Sequence, residues 1–340
     1  MGRIWSPQIE SMKREQLEEI KTYLLKKQLN YVYHRAPFYK ELYKKSGVKL
    51  DDIKNINDLE KLPLTKLKDL QAEMKQTGDE YSGRLCVPEN ELLAVYGPNQ
   101  HPMPENPLIT GITDSDRNTI VQHLARNLMM AGVYSGDTIQ SLCWAWEPFN
   151  RLYMAANLLI SPSVSEILGI IPITLEIITL EAPRTFSTAR LLKPSLIIAD
   201  TSHLMQLAAV CQQIKILPEE LGYKTIILKE QRILSDKETK EVGDRWKAKV
   251  HNMLEVQDNM FYMMDCEKHK GLHIWEDAFI AEIVDEKTGE KVGDGEAGKL
   301  VITNLFAKGT PMIRYLTKVT AKMDRTPCDC GRTHSRIKPQ

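Results

Sequence analysis

Along residues 7–45 the apolar positions fall at the spacing of an amphipathic helix. In "SPQIESMKREQLEEIKTYLLKKQLNYVYHRAPFYKELYKKSG", Leu17, Ile20, Leu24, Leu25 and Leu29 share one face, with charges between them. Pro37 interrupts the run, and Gly47 is placed to cap it. "DLEKLPLTKLKDL" predicts a short helix, a break at Pro63 and a second helix with Thr65 as its N-cap. From about residue 110 to 250 the pattern alternates. "TDSDRNTIVQHLARNLMMAGV", "RLYMAANLLISPSVSEILG", "APRTFSTARLLKPS" and "TSHLMQLAAVCQQI" read as helices. "DTIQSLCW", "IIPIT", "LIIAD" and "YKTIILKE" read as strands between them. Short apolar strands separated by helices indicate a parallel sheet with crossovers. Beyond that, "HIWEDAFIAEIVDEKTGEKVGDGEAGKLVITNL" alternates with period two around a turn-rich centre, the pattern of a smaller antiparallel unit.

The bulk composition fits this picture. The chain has 340 residues, 42% hydrophobic and 26% charged, enough to bury a large core. Lys+Arg and Asp+Glu balance at 45 each, so charge gives no case for nucleic acid or an anionic membrane as partner. The apolar run near 158–180 is broken by Ser161, Pro162, Glu166, Pro172 and Glu176, so no membrane span is expected. The N-terminus lacks the apolar core of a signal peptide. Six cysteines, mostly dispersed, fit a reducing, cytoplasmic setting better than a disulfide framework.

Cys266, His273, Cys328 and Cys330 form the one Cys/His set with metal-site character. Cys-x-Cys-Gly presents two sulfurs to one ion, and the glycine permits a tight turn. Three cysteines and a histidine suit a closed, structural zinc site, with His269 or His334 as substitutes for His273. Cys86, Cys143 and Cys211 read as core cysteines, and His34, His123 and His203 have no partner recognisable from spacing. Trp144, Trp146 and Phe149 in "CWAWEPF" are either an aromatic pocket wall or a core corner.

Several segments, in order, carry a resemblance to a known family: "YVYHRAPFYKELYKKSGV" with "LEKLPLTKLKDL", then "AGVYSGD", "CEKHKGLHIWEDAFIAEIVDEKTGE", "PMIRYLTKVT" and "CDCGRTHSRI". Together they make the chain similar to the phenylacetate–coenzyme A ligases of the acyl-adenylate-forming superfamily. The resemblance implies an α/β fold: two α/β sheet subdomains plus a smaller antiparallel, β-barrel-like subdomain, as in the large domain of those enzymes. It places a helical N-terminal segment at 1–90, the sheet subdomains at 91–250, the small β subdomain at 251–327 and a Cys-x-Cys knuckle with a truncated hinge at 328–340. The family's mobile C-terminal domain, with its catalytic lysine, is expected to be absent. The resemblance also implies a reaction in which ATP-Mg and a carboxylate give an acyl-adenylate, which coenzyme A then takes as a thioester.

Residue by residue, that apparatus is degenerate. The family's Ser/Gly/Thr-rich, lysine-bearing phosphate loop aligns with Gln100, His101, Pro102, Met103, Pro104, Glu105, Asn106 and Pro107. Three prolines remove backbone donors, and Glu105 carries the wrong sign for phosphate. The glycine turn near adenine reads Leu228-Lys229-Glu230, and the Tyr-Gly-Leu-Ser/Thr-Glu motif reads His251-Asn252-Met253-Leu254-Glu255, keeping only the acid that would hold magnesium. Val319 stands where the ribose-binding aspartate belongs, although Arg314 and Tyr315 remain. The resulting expectation is a pseudoenzyme: a non-catalytic binding or scaffold subunit for an acyl or coenzyme A thioester ligand, for a partner enzyme, or for a second copy of itself. The alternative is an active ATP-dependent acyl-coenzyme A ligase with an atypical loop. In it, His101 would contact phosphate, Glu255 would hold magnesium, Arg314 would assist, and Trp144, Trp146, Phe149 and Tyr315 would line a pocket.

Overall fold

The computed structural model describes residues 4–97, 107–142, 163–173, 182–256 and 260–340. The chain divides into two compact units. One comprises Met1–Trp5, Val121–Glu255 and Tyr262–Leu272; the other comprises Ser6–Ile120, Val256–Phe261 and His273–Gln340.

The first unit is the α/β alternation of the sequence. Strands Ile171–Ile173, Thr138–Ser141, Leu196–Ala199, Thr225–Glu230 and Lys249–Val256 lie side by side in that order, all parallel. Leu196–Ala199 is buried at every position, as a strand covered on both faces must be. Its neighbours Ile226 and Leu228 pack with Leu204, Leu207 and Trp246 from the helices Thr201–Gln213 and Asp236–Trp246. Each such side chain contributes about 1.5–3 kcal/mol when fully buried. Both helices start on side-chain caps: Asp200 accepts from the His203 N–H, and Ser235 and Glu238 form a capping box. His203, for which spacing offered no partner, pairs through Nδ1 with Asp200 at 2.7 Å.

The second unit opens with helices. Pro37 begins the helix Pro37–Ser46 directly after Arg14–Arg35, since proline is at home in a first turn. Gly47 ends it at φ 71°, the left-handed conformation expected of the cap. Leu25, Leu29, Val32, Tyr39 and Tyr43 pack against Met312, Ile313 and Tyr315. Strands Phe279–Val284, Ala297–Asn304, Tyr315–Asp324 and Arg336–Lys338 form an antiparallel sheet in chain order. Thr65 is not a helix cap. Its hydroxyl donates to the Ile313 carbonyl at 2.6 Å and its backbone bridges Tyr315, while the following helix starts at Leu67 behind Lys66. The hydroxyl is thus oriented by a carbonyl far along the chain, and the helix begins one residue too late for Thr65 to be its N-cap. Among the described residues no helix is long and apolar enough to cross a membrane.

Candidate functional site

Within the second unit the sulfurs of Cys328 and Cys330 and a ring nitrogen of His273 lie within 4.8 Å of one another, and all three residues are buried. The knuckle is built locally. Gly331 N–H donates to the Cys328 carbonyl at 2.9 Å and Cys328 N–H to the Arg332 carbonyl at 3.1 Å. Gly331 sits at φ 91°, which a Cβ would strain. His273 Nε2 lies 3.6 Å from Cys330 Sγ. Around a tetrahedral ion with metal–sulfur bonds of about 2.3 Å and metal–nitrogen bonds of about 2.0–2.1 Å, such a pair stands about 3.6 Å apart. Burial holds the His273 imidazole below its ordinary range, partly opposed by Cys330, so the ring stays neutral as a ligand must. Its Nδ1 has no hydrogen-bond partner among the described residues. The arrangement fits a structural metal ion.

Of the three histidines named as the fourth ligand, His273 is the one in the cluster. His334 has both nitrogens engaged elsewhere: Nδ1 accepts from the Glu276 N–H and Nε2 reaches the Ile9 carbonyl, each at 3.0 Å. His269 turns to Asp265. The residues around the knuckle anchor the end of the chain. Arg332 Nε donates to Glu10 at 2.7 Å with both side chains fully buried, and Thr333 donates to the Met12 carbonyl at 2.6 Å. Glu276, unremarked in the sequence beyond its place in "GLHIWED", is the hub. It accepts from Arg14 at 2.6 and 3.0 Å, from Lys21 at 2.8 Å and from the Ser335 N–H at 2.7 Å. Burial raises its pKa, but Lys21 and Arg14 outweigh this and hold it well below the usual carboxylate range.

Gln100, His101 and Glu105, like Trp144, Trp146 and Phe149, lie outside the described residues. The position of the expected phosphate loop is flanked by the strands Ala94–Tyr96 and Thr110–Ile112, which pair antiparallel. Its exit is fixed at Gly111, whose N–H donates to Thr310 Oγ1 at 3.0 Å and whose carbonyl passes so near Gly309 that a Cβ there would lie 2.1 Å from it. Where the family's glycine turn is expected, Leu228-Lys229-Glu230 simply continues the strand Thr225–Glu230. His251 to Glu255 likewise run as strand. The two strands are parallel neighbours, and this lets Lys229 Nζ reach Glu255 Oε2 at 2.7 Å, with both side chains buried. Glu230 accepts from the N–H and hydroxyl of Thr201 at 2.8 and 2.6 Å. The carboxylate that would hold magnesium therefore already faces an ammonium.

Arg314, at φ 47°, is also engaged. It donates to both oxygens of Glu282 at 3.1 Å and to the carbonyls of Glu60, Leu62 and Gly289. Tyr315 is part of the core, and Val319 is a buried strand residue.

Sequence comparison agrees with the fold. Over 99% of its length the chain is 28% identical to a phenylacetate-coenzyme A ligase of Thermus thermophilus, spanning 72% of that protein. It is 25% identical over 91% of its length to one of Pseudomonas putida, spanning 66% of it. The chain is a relative of the phenylacetate–coenzyme A ligases. No protein-family model matches it. Among solved structures, an open conformation of a 2-hydroxyisobutyryl-CoA ligase in complex with 2-HIB-AMP and CoA superposes with a TM-score of 0.85 at 23% identity, over 98% of this chain and 71% of that one. A long-chain-fatty-acid-CoA ligase from Archaeoglobus fulgidus gives 0.53 at 10% identity, over 74% of this chain and 52% of its own. The ligase relative thus has the mixed α/β fold of an acyl-adenylate-forming large domain.

Proposed function

We propose that this ligase relative does not adenylate. It acts as a zinc-stabilised binding or scaffold subunit for an acyl or coenzyme A thioester ligand or for a partner enzyme. The observation that carries the reading is the Lys229–Glu255 pair. A buried ammonium 2.7 Å from the carboxylate occupies the place a magnesium ion would need. The proline-rich sequence 100–107, with Glu105 for the family's lysine, and the valine at 319 support it. The thioester class is supported by the 2-hydroxyisobutyryl-CoA ligase, whose solved complexes hold an acyl-AMP and CoA. The set of His273, Cys328 and Cys330 takes zinc on this reading because buried thiolate and imidazole donors suit that ion.

The test pairs two measurements on the purified chain. ATP–pyrophosphate exchange is followed with a panel of aliphatic and aromatic acids, and melting is followed with acyl-coenzyme A thioesters. The expected result is no exchange and a melting shift with at least one thioester. Exchange that depends on an added acid would sink the proposal and establish the active ligase instead.

A further inference from the structure

A second group of side chains with metal-ligand chemistry lies wholly in the parallel-sheet unit and shares no residue with His273, Cys328 and Cys330. His251 lies on the strand Lys249–Val256, Asp265 ends the strand Phe261–Asp265, and His269 sits on the turn that follows. Their ligand atoms lie within 4.8 Å of one another. His251 Nδ1 is 3.0 Å from Asp265 Oδ1, and His269 Nδ1 is 2.6 Å from Asp265 Oδ2. The rings are 5.1 Å apart, inclined at 36°. From these contacts we infer that His251, Asp265 and His269 form a second metal site, for a divalent first-row transition ion such as zinc, cobalt or nickel.

Three features carry the inference. The first is donor convergence. Both imidazoles present the same nitrogen, Nδ1, to opposite oxygens of a single carboxylate. Donors at about 2.1 Å from an ion and at right angles around it stand about 3.0 Å apart, as His251 and Asp265 do. The shorter His269 contact lengthens by a few tenths of an ångström when an ion replaces the hydrogen bond. The second is the backbone. His269 is held at φ 49°, its N–H donating to the Cys266 carbonyl at 2.9 Å. A non-glycine residue in that region costs on the order of 1 kcal/mol or more, and such strain gathers where a side chain must be aimed. The third is access. His251 and Asp265 are buried, but the His269 side chain is 49% exposed. An ion can therefore enter from solvent and keep water at its remaining positions.

Two imidazoles and one carboxylate make a borderline donor set that leaves coordination positions open. Magnesium and calcium prefer oxygen throughout. A set of three thiolates and one imidazole would, by contrast, be closed. Asp265 and Cys266 are successive residues leaving an extended strand, whose side chains alternate in direction.

The experiment is a Co²⁺ titration of the apo-protein, read by equilibrium dialysis and absorption spectroscopy. Thiolate-bound cobalt gives sulfur-to-metal charge-transfer bands, and cobalt on imidazole and carboxylate does not. The two sites are therefore counted separately, and failure of one is not failure of the other. The wild type is expected to bind one equivalent without thiolate bands. His269→Asn, which suits a positive φ, should lose that equivalent and leave any thiolate-bound one intact. Absence of a thiolate-free equivalent in the wild type, or its persistence in folded His269→Asn, overturns the inference. Should the variant fail to fold, cobalt-shifted imidazole N–H resonances in the wild type decide. With only the thiolate-free equivalent loaded, two such signals support the site, and one or none refutes it.

Discussion

Glu255→Gln removes a negative charge that stands 2.7 Å from the buried Lys229 ammonium while keeping the shape of the side chain. At that distance two unit charges attract by about 6 kcal/mol at an effective dielectric near 20. Desolvation of both groups offsets much of this, so the pair as a unit contributes little net stability. Breaking it from one side is another matter and costs about 3–5 kcal/mol. Replacing both partners by apolar residues of similar volume, as in Lys229→Met with Glu255→Leu, should be nearly neutral or mildly stabilising. The assay is urea unfolding of the wild type, each single variant and the double variant, followed by tryptophan fluorescence and by circular dichroism. The expected pattern is two costly single substitutions and an inexpensive double one, a strong coupling between neighbours. If Glu255→Gln costs less than about 1 kcal/mol and the cycle shows no coupling, the carboxylate is not bound to Lys229 and is free for a cation. The reasoning against magnesium would then be refuted.

Glu276→Gln should cost about 3–5 kcal/mol at neutral pH, because Arg14 and Lys21 lose their shared carboxylate. Its folded-state pKa is depressed, so its contribution is complete above the ordinary carboxylate pKa and is lost as pH falls through the folded value. The wild type should therefore show a steeper loss of stability below about pH 4 than the variant in urea melts across pH. Gly309→Ala should destabilise by about 1–3 kcal/mol or more and shift the hairpin exit, since its Cβ would lie 2.1 Å from the Gly111 carbonyl oxygen; amide exchange at 110–112 reads this directly. Cys330→Ser, or prolonged chelation, should release the bound ion and lower the melting temperature, measured by metal analysis and calorimetry on the same sample.

The alternation of helix and strand was legible because a parallel sheet covered on both faces leaves continuous apolar runs such as "LIIAD". The Gly47 cap was legible because only a few residues accept a left-handed conformation. Thr65 was misread because its partner, the Ile313 carbonyl, is far along the chain and invisible to local spacing. The same limit hid Lys229 and Glu255 as a pair, although sequence marked Lys229 as part of a departure from the family pattern and Glu255 as its one retained acid; pairing needs the register of two parallel strands. The candidate metal ligands divided along this line too. Cys328 and Cys330 announce themselves by spacing, whereas the choice among His269, His273 and His334 depends on which way each ring turns. That choice is made by Asp265 for His269 and by the Glu276 N–H and the Ile9 carbonyl for His334. Glu276 escaped notice because an acid within a motif reads as a solvated charge until its cations, Arg14 and Lys21, are placed beside it.

The most direct measurement on the central claim is calorimetric titration of the purified chain with AMP and with stable acyl-sulfamoyl adenosine mimics, with magnesium present. It reads the nucleotide pocket itself, independent of turnover. Neither compound is expected to give saturable heat or to change the melting temperature. Saturable, one-to-one binding of an acyl-adenylate mimic, weakened by Glu255→Gln, would contradict that claim.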